Sequence, residues 1–444
     1  MIPNETSPTS PGNSDITSRL ACAVLLSVLL VSCDRSESGN QQADLSTNPP
    51  TVDSVQTRNS ESDPPGDSGT PHPDAPQYHG RTLDEWRMLL KEVSYDDPAI
   101  SELVPGLIAI VEDREGAPWY SRRQAAIALG RIGEPARAAV PTMIALLEES
   151  DSNAAESTKL WAIKSLSLFG PLASEATPAL VRLLNDPEQP PLPRLAAIEA
   201  LGRIGPAHPD ALPAVIAVLE SSAEVQDGAA FERRVAAAEI LELVGDSAAA
   251  AVPALMKAAA NQSELLRRAA VNTLGMIGPL AEPAVPLLVD IMIFDESLDV
   301  RDLAATALGR IGRTGERALA QLLADPELDV RQRAANGLDQ LTGASESTIQ
   351  RLQSATTDES AQVRIAAAAA LWKATADPEL VVPTALDGLT VEEREARMQA
   401  VVLLRLIGTR ASPWLPELQT LTEDERHYVR QAARRAVRGI QGEQ

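Results

Sequence analysis

Aromatic side chains are scarce in this chain, with three Phe, four Tyr and five Trp among 444 residues. A core built on large rings is thereby excluded, and closely packed small side chains are left as the means of burial. Only two cysteines occur, Cys22 and Cys33, both in the first tenth of the chain. No disulfide framework or cysteine metal site can therefore stand in the body of the protein. Histidine is almost absent, being confined to His72, His79, His208 and His427. Basic charge is short as well: 39 Lys and Arg face 62 Asp and Glu, for a net charge of −23. Nucleic acid, which demands a concentrated basic surface, is disfavoured by that balance. Acidity of this kind serves solubility and identifies no partner. No Gly-rich phosphate loop, nucleophile elbow or zinc spacing is found, so neither a cofactor nor a small-molecule substrate is expected.

What is present begins with an apolar run, LACAVLLSVLLV, over residues 20–31. Twelve residues are too few for a bilayer span, which takes about 20, but suit the core of a signal peptide. The run ends in Leu30-Val31-Ser32-Cys33, which resembles the lipobox of bacterial lipoproteins. That resemblance implies a signal peptide over residues 1–32, a lipid on Cys33, and a mature protein held at the bacterial cell envelope, facing the periplasm or exterior. Residues 33–77 follow as an acidic tether. From residue 34 to 77 there are eight acidic and two basic residues and almost nothing to bury. Such composition cannot offset its conformational entropy, so disorder is expected.

Along the rest of the chain a basic residue recurs: Arg122, Lys159, Arg194, Arg234, Arg267, Arg301, Arg331, Arg364, Arg397 and Arg430. After each, apolar residues fall at offsets +3, +4, +7 and +10, one stripe of a 3.6-residue helix. Ala125, Ala126, Leu129 and Ile132 make one such set, and Ala304, Ala305, Leu308 and Ile311 another. Gly at the end of this helix suits a left-handed C-cap. Ahead of each basic residue lies a second helical stretch, in eight repeats built around a proline such as Pro105, Pro141 or Pro286. Whether these prolines open the helix or kink it is undecided by sequence. An acidic turn, as in LLADPELDVR over 322–331, joins the two helices.

Helix with Pro, Asp-bearing turn, Val-Arg and Ala-rich helix together resemble HEAT repeats, in particular the bacterial phycobilisome-lyase-like subclass. The resemblance implies an all-α fold, an α–α superhelix (HEAT/armadillo-like solenoid) of about ten two-helix repeats over 103–441. It also implies that the Asp and Arg hydrogen-bond around the turn inside each repeat. Residues 78–102 read as an N-terminal capping helix. At the other end, Arg434 replaces the small residue of offset +4, as a terminal repeat with no neighbour requires.

HEAT-like relatives include enzymes. Deoxyhypusine hydroxylase holds two irons with paired His-Glu motifs, but none of the four histidines here precedes a Glu. Phycobilin lyases act inside the cell, which conflicts with an export signal. A binding scaffold for a protein partner is the expected role, with a HEAT-like lyase or oxidoreductase as the alternative.

Two sets of residues are candidates for contact. The distance from each helix end to the next Pro position is eight residues in eight joints, whereas the turns inside repeats one to four are longer than the later ones. The long turns carry Glu148, Glu149, Asp151 and Glu156, then Glu220, Glu224, Asp227 and Glu232. Insertions on one rim of a solenoid mark either a binding edge or simple loop drift. The second set is a broken row at offset +9: Arg131, Arg203, Arg310 and Lys373. It is either a functional stripe on the inner face or the solvated side of a common consensus.

Overall fold

The computed structural model describes residues 76–95, 97–148, 155–341 and 343–441, so the expected signal peptide, Cys33 and the tether lie outside the described residues. A hairpin of β1 (Gln77–Tyr78) and β2 (Arg81–Thr82) leads into α1 (Leu83–Glu92). Thr82 and Glu85 form a capping box at the start of α1, each satisfying the other's backbone N–H. Trp86 is buried, donates its indole N–H to the Tyr78 carbonyl at 3.0 Å, and lies where a β-carbon at Gly106 would strike its ring. The Tyr78 hydroxyl donates to Asp113 at 2.7 Å, tying this cap to the first repeat's turn. Burial, then that bond, pushes the Tyr78 phenol up to about 12.

Ten helix pairs follow, each an A helix and then a B helix. The first four are α2 (Val104–Glu112) with α3 (Trp119–Ile132), α4 (Val140–Leu147) with α5 (Ala155–Phe169), α6 (Thr177–Asn185) with α7 (Pro191–Ile204), and α8 (Ala211–Leu219) with α9 (Ala229–Val244). The next three are α10 (Val252–Ala259) with α11 (Glu264–Ile277), α12 (Val285–Phe294) with α13 (Leu298–Arg310), and α14 (Arg313–Leu322) with α15 (Leu328–Leu338). The last three are α16 (Glu346–Ala355) with α17 (Ala361–Thr375), α18 (Pro378–Gly388) with α19 (Arg394–Ile407), and α20 (Leu415–Leu421) with α21 (His427–Gln441). The expected stripe is the core: Ala125, Ala126, Leu129 and Ile132, like Ala304, Ala305, Leu308 and Ile311, are all buried.

Six of the eight constant joints contain a short 3₁₀ segment, such as Glu134–Ala139, Gly170–Ala176 or Gly278–Ala284, whereas those after residues 342 and 375 contain none among the described residues. Residues three apart eclipse one another in a 3₁₀ helix, so two alanines face inward together. Ala136 with Ala139, Ala173 with Ala176, and Ala281 with Ala284 are fully buried. In these joints an added residue would rotate one of each pair outward, which opposes drift in their length. Most of the prolines fall at the second position of the A helix, as Pro105, Pro141 and Pro286 do, where the missing N–H costs nothing. Pro213, at the third position of α8, and Pro383, inside α18, are the exceptions.

The glycines that end the B helices do have positive φ, but they are not left-handed helical. Gly133 stands at φ 72°, ψ −128°, and Gly278 at φ 67°, ψ −134°, a region that a β-carbon forbids. Among the described residues, Ala376, at φ 50° and ψ 29°, alone takes the left-handed helical cap.

The basic ladder is structural throughout. Arg194 and Arg234 donate from Nε to the Leu184 and Leu219 carbonyls at 3.0 and 3.1 Å, satisfying C-terminal oxygens of their A helices. The Asp–Arg bond expected inside the turn is present, as where Arg331 and Arg364 donate to the Asp325 and Asp358 carbonyls at 3.0 Å, and in several later repeats the same Arg also takes a carboxylate of the next repeat. Arg267 grips Asp295 of the following repeat with bonds of 2.7 and 2.8 Å, while its other amine donates to the Asn261 and Gln262 carbonyls. Arg331 holds Asp358 in the same way, and Arg364 reaches Asp387 at 2.9 Å. Each such Arg therefore closes its own turn and clasps the next. Burial pushes the Asp295 carboxyl up, but Arg267 and the Ser297 N–H outweigh it and hold the group below the ordinary range.

Arg434 is exposed at the end of the stack, as a cap demands. The arginines of the last helix divide by task. Arg426 chelates Asp424, and Arg430 donates to the Asp424 and Glu425 carbonyls at 2.6 and 2.7 Å.

Candidate functional site

Successive B helices lie against one another along their length, whereas neighbouring A helices touch far less, so the B helices form the inner side of the curve. Offset +8 makes this approach possible. It is glycine in four repeats, Gly130, Gly202, Gly275 and Gly309. A β-carbon at Gly202 would collide with Ile240 of the next B helix, and one at Gly309 with the Gly337 carbonyl. The first Gly of the ALGRIG phrase thus sets helix spacing, and the second ends the helix.

With +3, +4, +7 and +10 buried and +8 against the neighbour, the B helices present offsets +1, +5 and +9 to the inner face. Over ten repeats these positions hold eight basic residues and three acidic ones, in a chain of net charge −23. The row at +9 is one line of this face. Its members are each held by a neighbour. The Arg131 guanidinium lies 5.7 Å from the Tyr95 ring centre, and Arg203 Nε donates to Glu199 at 3.1 Å. Arg310 meets the Met276 sulfur at 3.2 Å, and Lys373 donates to the Asp339 carbonyl and carboxylate at 2.8 and 2.7 Å.

A groove of about 830 Å³ runs over the B helices of repeats six to nine. Its first part is polar and self-paired: Arg333 Nε donates to Asp302 at 2.8 Å, and Lys373 holds Asp339. Its second part is apolar, with Met398, Val402 and Leu406 exposed at 40, 59 and 56%. These three are the +1, +5 and +9 residues of repeat nine. A second hollow of about 300 Å³ continues past Met398 and Val402 to Arg405, Arg435 and Arg438. The sequence carries a signal for this patch, since repeat nine alone is apolar at all three of these offsets.

Near the middle of the inner face two carboxyls are displaced upward. Burial raises Glu239, with Glu242 adding repulsion, and burial likewise raises Glu242 against a bond from Asn272. Glu239 still reaches solvent by exposed area, so the effect comes from the crowding of adjacent B helices and not from enclosure.

The rim carboxylates are distributed differently. Glu148 pairs with Arg182 of the next repeat at 2.9 Å, both side chains being about two-thirds exposed. Glu220 approaches Lys257 at 4.0 Å. Glu224 and Asp227 cap each other around a 3₁₀ turn, Val225–Asp227, and Arg234 donates to the Ala223 carbonyl at 2.6 Å beneath it. Glu232 is exposed in the first turn of α9, where a negative charge complements the helix dipole. Glu149, Asp151 and the side chain of Glu156 lie outside the described residues.

The family model for HEAT repeats matches residues 104–192, 154–233 and 285–372. No curated protein matches the chain. Among solved structures, a complex of Kap95p with RanGDP aligns at 15% identity and a TM-score of 0.47, covering 76% of this chain and 51% of that one. The chain thus spans about half the length of that relative. The CpcE–CpcF complex of phycocyanin lyase from Nostoc sp. PCC7120 aligns at 21% identity and a TM-score of 0.31, covering 60% and 94% of the two chains. Human deoxyhypusine hydroxylase aligns at 20% identity and a TM-score of 0.26, covering 78% and 98%. Residues 104–233 and 285–372 are thus matched as HEAT repeats, and the ten helix pairs of the described residues form one all-α superhelical repeat fold.

Proposed function

We propose that this solenoid is a scaffold for a protein partner, without catalysis of its own, and that a lipid on Cys33 tethers it to the bacterial cell envelope. The observation that carries the binding role is the inner face, which gathers basic residues and an exposed apolar patch on an otherwise acidic chain. Single exposed apolar residues need no explanation, but three contiguous ones in a concave setting favour contact with another macromolecule. Helices pinned by fixed joints and clasps hold that face in one shape, which lowers the ordering cost of binding. Tethering rests on the lipobox-like LVSC at 30–33.

Cross-linking in the native host followed by mass spectrometry tests the scaffold role. A recurrent protein adduct mapping to the inner face supports it. A tightly held metal or chromophore with turnover in the purified protein would replace it with the HEAT-like enzyme alternative. For the tether, Cys33→Ser should abolish incorporation of labelled lipid; a parent protein that takes up no label refutes the anchor.

A further inference from the structure

We infer that the end of the inner groove formed by repeats eight to ten is a seat for an acidic amphipathic helix of a partner protein. This rests on the scaffold role proposed above and adds to it a location and a partner chemistry. Charge bookkeeping along the groove locates the seat. In repeats six to eight the groove's ions are already matched, Asp302 by Arg333 and Asp339 by Lys373. In repeats nine and ten Arg405, Arg435 and Arg438 surround Met398 and Val402 against one lining carboxylate, the exposed Glu395, and among the described residues no carboxylate forms an ion pair with any of the three. Arg435 has only the Met398 sulfur, at 3.5 Å. Other arginines, among them Arg317, Arg351 and Arg394, also stand without a carboxylate partner; what sets these three apart is that they gather beside an exposed apolar floor.

The floor is itself helical in spacing. Met398, Val402 and Leu406 lie at i, i+4 and i+8 on α19, in line along its inner side. An incoming helix with apolar residues on one face would cover them, and carboxylates flanking that face would meet the arginines. Spanning the B helices of three repeats, packed about 8–10 Å apart, takes roughly 18 residues of helix, about 27 Å long. A concave trough over several helices fits a rod of that size better than the flat surface of a bilayer. The chain's own acidic segment over 34–77 offers only Leu45, Val52 and Val55 as sizeable apolar residues, at no helical spacing long enough to cover the floor.

The test is to pan a displayed library of helix-forming peptides, about 18 residues long, on the full-length chain. Enriched sequences are then titrated by fluorescence anisotropy. They should share an apolar face flanked by Glu and Asp. Val402→Glu with Leu406→Glu should weaken them at least tenfold, and so should Arg435→Glu with Arg438→Glu. The latter variant should instead gain affinity for a peptide whose carboxylates are exchanged for Lys. All four positions are exposed, so helicity and melting should hold; Val402→Ser with Leu406→Ser is the milder pair if they do not. Glu220→Lys with Glu232→Lys on the rim should leave binding unchanged. Enriched peptides that are neutral or basic, or that ignore both groove variants, overturn the seat while the scaffold role survives on another surface. An unenriched library overturns the seat as well. Flotation with vesicles of phosphatidylcholine and phosphatidylglycerol, lost in the Arg435→Glu/Arg438→Glu variant, would assign the patch to anionic lipid instead.

Discussion

Junctions from repeat five onward are clasped by arginines largely withdrawn from water, whereas the charged pairs that cross junctions near the front of the stack lie out on the surface. Arg267 and Asp295 retain 13 and 5% of their side-chain exposure, against 68 and 66% for Arg182 and Glu148. Arg333 with Asp302, Arg331 with Asp358 and Arg364 with Asp387 continue the series, and Arg397 stacks 4.2 Å from the Tyr428 ring centre at the last junction. Exposed pairs contribute about 0–1 kcal/mol, while breaking a buried pair costs several-fold more. Turn length is therefore free to vary where caps are local, in repeats one to four. It is held in repeats six, eight and nine, where Asp295, Asp358 and Asp387 each meet an Arg one repeat back. The inner groove lies over the clasped half, where a rigid platform serves binding.

The largest effect should come from the core common to both halves. Leu308→Ala removes a fully buried side chain at a B–B contact and should cost about 2–5 kcal/mol, read from chemical denaturation. The contrast between halves is sharpened by two carboxylate-to-amide changes. Asp295→Asn should cost about 3 kcal/mol, because Arg267 keeps its carbonyl partners but loses its buried counter-ion. Glu148→Gln should stay within about 0.5 kcal/mol. Equal losses would erase the distinction. The Asp295 contribution also has a pH sign. Its carboxyl is depressed in the fold, so the stability it supplies is present above the unfolded pKa, near 3.9, and is lost as pH falls through the lower folded value.

The smallest effect should have the opposite sign. Glu239 is raised by burial in the crowded inner face, so its contribution is present below the unfolded pKa and lost as pH rises through the folded one. Glu239→Gln should therefore raise the melting temperature slightly at pH 7, with the gain closing towards pH 4. A variant that melts lower at pH 7 would mean Glu239 is favourably partnered.

Periodicity made the fold legible. The ladder, the buried stripe and the eight-residue joints were all readable because each recurs, and recurrence averages out local noise. The bond expected inside the turn is present, since Arg331 donates to the Asp325 carbonyl at 3.0 Å; the clasp to the Asp358 carboxylate, 27 residues away, is an addition that no spacing within one repeat could show. The groove was only one-third visible, through the +9 row. Offsets +1 and +5 acquire meaning once the B helices are known to be the inner ones, and that depends on the close approach at Gly202 and Gly309. The patch at Met398, Val402 and Leu406 is an ordinary apolar side of a helix until its neighbours are placed around it.

The central claim is that partner contact belongs to the inner face of the clasped half. A photoreactive amino acid placed at Val402, and separately at Glu232 on the rim, tests it in the native host. The account predicts a discrete protein adduct from position 402 and none from 232; adducts from 232 alone, or from neither position, would contradict it.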